Sequence, residues 1–267
     1  DQPRSRGLGD VYKRQLHDCS IKPVCLHIER PMLRTCFNFN FVLKVIVFKL
    51  FYLIAGAAIG QAGGSYDRFW TAIQRDQVGP IQALQARGFD INSPSPSLSP
   101  PLVHALHLDN KRVALYLAAQ PELDLDAVNE AGENALMMAA LRGHLDLVEL
   151  LIQRGAQVNK PGWAPLHYAA TYSGNNALAI VRLLLEHHAF VDTESPNRST
   201  PLMLAAQYGS EPVVQLLLEE GAQPLQKNEQ GLTAIDFARR AGREPMAQLI
   251  ARFARLTRPP APTGSGW

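Results

Sequence analysis

Asn134-Ala135-Leu136-Met137-Met138-Ala139-Ala140-Leu141-Arg142-Gly143-His144 returns in near copy as Thr200-Pro201-Leu202-Met203-Leu204-Ala205-Ala206-Gln207-Tyr208-Gly209, with Ala164-Pro165-Leu166-His167-Tyr168-Ala169-Ala170 between them. Leu102, Leu136, Leu166 and Leu202 share one slot, with Ile235 in the last copy, at steps of 34, 30, 36 and 33 residues. A period of this length marks a solenoid of stacked units. Within a copy, Thr200 can cap a helix, because its hydroxyl accepts from the free N–H groups of the first turn. Pro201 suits the first helical position, where its missing N–H costs nothing. Ala205 and Ala206 let a neighbouring helix come close, and Gly209 stands where the first helix stops, in a place that predicts left-handed backbone. A second helix then supplies Val214, Leu216, Leu217 and Leu218 and stops at Gly221. One such pair cannot bury its apolar side alone, so units must stack on both sides.

The pattern resembles the ankyrin repeat, whose opener is Thr-Pro-Leu-His-x-Ala-Ala followed by x-x-Gly-His. The resemblance covers roughly residues 66–256 and implies an all-α solenoid of about six helix-turn-helix units with short finger loops. Unit one, near 66–92, has a loose opener and serves as the N-terminal cap; unit six, opening at Thr233-Ala234-Ile235, has a polar second helix suited to a C-terminal cap. Two irregularities fall in unit four. The finger between Asn159 and Pro165 is about three residues short of the family pattern. The stretch from Ala170 to Val181 is about three residues long, the extra residues falling in Ser173-Gly174-Asn175-Asn176. Loop drift and a tuned binding feature both account for them. In unit two, Asp109-Asn110 replaces Gly-His.

Composition divides the chain. Residues 1–62 hold nine Lys/Arg and four Asp/Glu, whereas 63–267 hold 17 and 20, so the basic balance of the whole comes from its first part. Ser5 to Gln15 resembles a translated sequencing adapter, and residues 1–31 are read as upstream, non-native sequence. Residues 32–62 offer basic residues, the apolar run Leu50 to Ile59, and the small residues Gly60 and Ala62, which predict a secretory signal peptide cleaved after Ala62 and a periplasmic mature chain. The alternative is a membrane anchor over 41–60, although Lys44 and Lys49 fall inside that window. The repeat domain is expected over 63–256 and a disordered Pro/Gly/Ser-rich tail over 257–267. Cys19, Cys25 and Cys36 all precede Gly63, leaving the repeat region no disulfide or zinc reading.

Nothing in the sequence builds a reaction centre. HExxH, CxxC and GxxxxGK[ST] do not occur. His187 and His188 are adjacent, so they cannot share a helix face to chelate an ion, and they are read as an exposed helix end. His167 fills the opener slot, where the resemblance implies a structural imidazole bonded within and between repeats. The expectation is therefore a non-enzyme with no cofactor and no metal, acting as a monomer on a protein partner rather than on nucleic acid. The Arg-rich C-terminal region is read as a solvated helix.

The resemblance also implies where a partner would bind: the residue after each finger turn and the two after Ala-Ala. Carried onto this chain these are Glu133, Leu141 and Arg142; Trp163, Thr171 and Tyr172; Ser199, Gln207 and Tyr208; and Leu232, Arg239 and Arg240. Trp163, Tyr172 and Tyr208 are expected to form one aromatic strip flanked by Arg142, residue types enriched at binding hot spots. The competing expectation is that these rings pack on neighbouring repeats. Glu133, Arg142, Trp163, Tyr172, Tyr208 and Arg239 are the six candidates taken forward.

Overall fold

Residues 64–256 of the computed structural model are described here. They form six antiparallel helix pairs: α1 (Ser65–Gln74) with α2 (Val78–Gln85), α3 (Pro101–His107) with α4 (Lys111–Ala118), α5 (Ala135–Arg142) with α6 (Leu145–Gln153), α7 (Pro165–Thr171) with α8 (Ala177–Glu186), α9 (Pro201–Tyr208) with α10 (Glu211–Glu219), and α11 (Ala234–Arg240) with α12 (Glu244–Leu256). Inner, odd-numbered helices pack on the next inner helix and outer helices on the next outer helix, which makes two stacked layers. No β-strand occurs among the described residues. The adapter-like segment, the signal or anchor segment and the tail lie outside the described residues.

Capping follows the chemistry of the opener. The Asn134 side chain accepts from the Met137 N–H at 3.0 Å, and Thr200 Oγ1 accepts from the Met203 N–H at 3.4 Å. Thr233 and Asp236 form a reciprocal pair, Asp236 Oδ2 accepting from the Thr233 N–H at 2.9 Å. Pro101, Pro165 and Pro201 occupy the first helical turn.

The core is one apolar seam between the layers. Leu102, Leu136, Leu166 and Leu202 of the inner layer and Val113, Leu147, Leu151, Val181, Leu184, Val214 and Leu217 of the outer layer are all buried. Ala139, Ala140, Ala169, Ala170, Ala205 and Ala206 are fully covered, so adjacent inner helices are spaced by methyl groups alone.

Two ladders stitch unit to unit. In the first, a finger-base side chain accepts from a backbone N–H of the next unit: Asn92 from Asp124 at 2.9 Å, Asp126 from Gln157 at 2.9 Å, Asn159 from Phe190 at 2.9 Å and Asp192 from Gln223 at 3.1 Å. In the second, the residue opening three of the outer helices reaches back to the end of the preceding inner helix. Asn110 donates to the Ile73 carbonyl at 2.6 Å, Asn176 to that of Gly143 at 2.8 Å, and Arg243 to those of Ala205, Ala206 and Gly209 at 3.2, 3.0 and 2.6 Å. Helix C-termini leave carbonyls without intrahelical partners, and this row satisfies them from outside. The Asp109-Asn110 departure fits the same scheme. Asp109 takes the left-handed backbone (φ 61°) that Gly143 takes in unit three (φ 74°), and its carboxylate pairs with His144 Nε2 at 2.7 Å.

One glycine corrects the sequence reading. Gly209 is not left-handed but extended, with φ −74° and ψ −179°. It is required by proximity: a Cβ there would lie 2.5 Å from the Ala170 carbonyl oxygen and 2.9 Å from Ala205 Cα.

Candidate partner-binding surface

Four fingers share one hairpin. Ser95, Asn129, Ser195 and Asn228 each donate a backbone N–H to the carbonyl four residues on, at 3.0, 3.1, 3.0 and 3.0 Å. Each also accepts, through its side-chain oxygen, the N–H of that same residue, at 3.0, 2.9, 2.9 and 3.0 Å. Their third residue is left-handed in every case: Leu98 (φ 52°), Gly132 (77°), Arg198 (59°) and Gly231 (72°). The fifth finger is the shortened one. It keeps Gly162 left-handed (φ 78°), while Asn159 serves at its base, accepting from Phe190 and donating to the His188 carbonyl at 2.7 Å. The backbone is thus constant where the side chains it carries are not: Pro96-Ser97-Leu98, Glu130-Ala131-Gly132, Pro196-Asn197-Arg198 and Glu229-Gln230-Gly231.

The six candidates fare differently. Glu133 is a correction: it is only 4% exposed. Its carboxyl group accepts from Asn129 Nδ2 at 2.8 Å and from the Tyr168 hydroxyl at 3.1 Å and lies 3.1 Å from His107 Nε2, itself 3.2 Å from Asn129 Nδ2. Burial raises the Glu133 carboxyl above its ordinary value and lowers the His107 imidazole. Both directions work against an ion pair at this contact. A group enclosed this way links units two, three and four and offers little to a partner. Arg142 is half-buried and donates to the His107 carbonyl, with its Nε buried and unpartnered.

The expected single aromatic strip is also corrected. Trp163 precedes the first residue of α7 and Tyr172 follows its last, so the helix itself separates them by roughly 10 Å of rise. Trp163 stacks edge-on against His167 at 5.3 Å and against Tyr168 at 6.5 Å. Tyr172 caps the other end, and its ring lies where any side chain on Gly143 or Gly174 would stand, 2.2 Å and 2.1 Å from the Cβ positions. Two glycines cradle the ring, and the extra residues at 173–176 form the turn that closes over it. Tyr208 ends α9 in the slot that Tyr172 occupies on α7 and is half-exposed. The structure therefore puts Tyr172 and Tyr208 in equivalent helix-end slots of adjacent units and leaves Trp163 at the finger edge.

Arg239 is a third correction, of register. Gly242 is the left-handed residue of unit six (φ 71°), as Gly143 is of unit three, so Arg239 aligns with Ala140 and not with the positions after it. Its side chain is 57% exposed and meets Glu244 at 3.7 Å.

His167 matches its expected role. It is fully buried, its Nδ1 accepts from the Ala164 N–H at 3.1 Å, and its Nε2 donates to the Ser199 carbonyl of the next unit at 3.0 Å. Burial holds its pKa down at about 4, against the backbone hydrogen bonds. Among the described residues, no group of three or more His, Cys, Asp or Glu could hold a metal ion. No local pattern points to the Glu133 network, whose partners His107, Asn129 and Tyr168 come from three separate segments.

Compared with known proteins, residues 69–195 and 166–258 match the family described as ankyrin repeats (3 copies). The chain belongs to the ankyrin-repeat family. It is 37% identical over 153 residues to the ankyrin repeat protein YahD of Escherichia coli (strain K12), covering 55% of this chain and 75% of that one. It is 26% identical over 166 residues to the human transient receptor potential cation channel subfamily A member 1, of which it spans 15%. It is 36% identical over 115 residues to the mouse B-cell lymphoma 3 protein homolog, of which it spans 25%. A solved structure, described as the Bd0816 predatory endopeptidase from Bdellovibrio bacteriovorus in complex with immunity protein Bd3460, superimposes with a TM-score of 0.59 at 24% identity. It covers 69% of this chain and 97% of that one. That likeness speaks to the fold.

Proposed function

We infer that this ankyrin-repeat chain is a non-catalytic module that binds a protein partner through its inner face and fingertips. The observation that carries the reading is the constant finger hairpin with different side chains at each tip, since a fixed backbone that varies only what it displays is built for presentation. Solenoids use their extended curved surfaces in this way. The contact residues we propose are Trp163 at the finger edge and Tyr208, Tyr172 and Arg142 at the helix-end edge. Export to the periplasm by the segment ending at Ala62 is part of the proposal, with a membrane-held scaffold using residues 41–60 as the alternative.

The test is partner capture in the native host with tagged wild type and the variants Trp163→Ala and Tyr208→Ala. We expect both variants to lose the captured partner while keeping the fold, and unchanged capture by both would end the inner-face reading. Location is read separately, from the intact mass of the protein in an osmotic-shock fraction. A mass beginning at Gly63 supports export, and an uncleaved mass in the membrane fraction supports the anchored scaffold.

A further inference from the structure

In its middle units the charges of this solenoid are segregated across its thickness, while the outer helices of units two and six carry exposed Lys111, Arg112, Arg252 and Arg255. Counting from the shared Leu slot, the last residue before each helix-ending turn forms one row along the inner face: Arg75, Leu108, Arg142, Tyr172, Tyr208 and Ala241. The adjacent row adds His107 and Arg240. Neither row holds a carboxylate, and Arg75 and Arg240 are exposed. The acids nearest this edge are engaged elsewhere. Asp76 Oδ1 accepts from the Val113 N–H at 2.8 Å, Asp109 meets His144 at 2.7 Å, Glu133 is enclosed, Asp236 caps its helix through Thr233, and Glu244 meets Arg239 at 3.7 Å. The outer layer of units three to five is the reverse: Asp146, Glu149, Glu186, Glu211 and Glu219 are exposed, with Arg182 as the lone base of those three helices.

We propose that the partner segment lying along this helix-end row is acidic and extended, with carboxylates meeting Arg75, Arg142 and Arg240 and the tyrosines of units four and five giving the stacking surface between them. This rests on the reading of the inner face as the binding surface. Like charge on the outer layer of units three to five turns such a partner away from the middle of the convex side, and opposite charge draws it to the inner edge, so the field favours that face before contact is made. The finger acids Glu130, Glu194 and Glu229 stand at the other ends of the inner helices, which places the acidic segment at the helix-end edge and not across the fingertips.

The probe is a fluorescein-labelled 12-residue peptide rich in Glu and Asp, compared with a Lys-rich peptide of equal length, by anisotropy at low and moderate salt and by amide shift mapping. The acidic peptide is expected to bind, to shift residues of the two rows, and to weaken severalfold as salt screens the contact. The double variant Arg75→Glu/Arg240→Glu should lose about tenfold or more in affinity with little change in melting temperature. Equal binding of the Lys-rich peptide, shifts confined to fingertips or outer helices, or charge reversal that alters only stability would each overturn the proposal. The two readings part on the captured native partner. Loss of capture in Tyr208→Ala with no response to Arg75→Glu/Arg240→Glu or to salt sinks the acidic partner and leaves the inner-face reading standing; indifference to Tyr208→Ala and Trp163→Ala sinks both.

Discussion

His167 joins two units with a single neutral ring, and that makes it an acid-sensitive point. Its folded pKa of about 4 lies below the ordinary 6.5, so the folded state resists a proton that the unfolded chain accepts. Its contribution is whole above pH 6.5 and is lost as pH falls toward 4, by up to about 3 kcal/mol. His104 and His107 shift in the same direction through burial. Urea midpoints between pH 7 and 4 should therefore fall steeply for wild type and less steeply for His167→Gln, whatever that variant's stability at pH 7; equal slopes would remove His167 from the account. Gly209 makes a second residue-level case. Gly209→Ala meets backbone atoms at 2.5 and 2.9 Å and should cost about 2–3 kcal/mol. Gly242→Ala meets nothing within 4 Å and pays only for its φ of 71°, about 1 kcal/mol. Thermal melts of the pair decide it, and the reverse order would mean the close approach at Gly209 relaxes freely. Leu98, an exposed side chain in left-handed backbone, is the opposite case. Leu98→Gly should stabilise by about 0.5–1 kcal/mol, read from the denaturation midpoint.

At the scale of elements, what the sequence made legible is what a unit does within itself. The Leu slot, the paired alanines, the capping Thr200 and Thr233 and the prolines at the first turn are all local choices with local reasons. What it concealed depends on which unit stands beside which. Glu133 reads as an exposed finger residue until His107, Asn129 and Tyr168 close over it. Tyr172 reads as a surface ring until Gly143, from another unit, supplies its cradle. Arg239 was misplaced for a different reason: the Ala-Arg-Arg run suggested one phase, while the distance from Ile235 to Gly242, equal to that from Leu136 to Gly143, fixes another. The second ladder likewise has no consensus letter, being served by Asn110, Asn176 and Arg243. Because Arg243 alone ties three carbonyls of α9 to the last pair, Arg243→Ala should cost roughly 1.5–3 kcal/mol, and amide exchange should rise in α11 and α12 well before α5 or α7. Uniform acceleration along the chain would show that unit six is not held through this residue.

The whole molecule is a row of near-neighbour contacts, so the place of a lesion matters as much as its size. Leu184 and Ile250 are both fully buried. Leu184→Ala, in unit four, should remove about 2–5 kcal/mol from the cooperative transition of the entire stack. Ile250→Ala should instead let the last pair open first, splitting the denaturation curve. A stack also has two ends, and a repeat surface that fits its own successor invites one molecule to continue another. Head-to-tail contacts of that kind do not close and grow as fibres. In units three to five the slot that receives the next inner helix holds a buried alanine; at the last unit it holds Arg239, whose guanidinium would have to be stripped of water and left beside apolar neighbours if another chain docked there. Its contact with Glu244 at 3.7 Å does not cancel that cost, because the desolvation of a buried ion pair can exceed its Coulombic gain. An arginine in that slot is expected to disfavour head-to-tail docking of a second chain on this face, and Arg239→Ala should raise the tendency to associate in sedimentation.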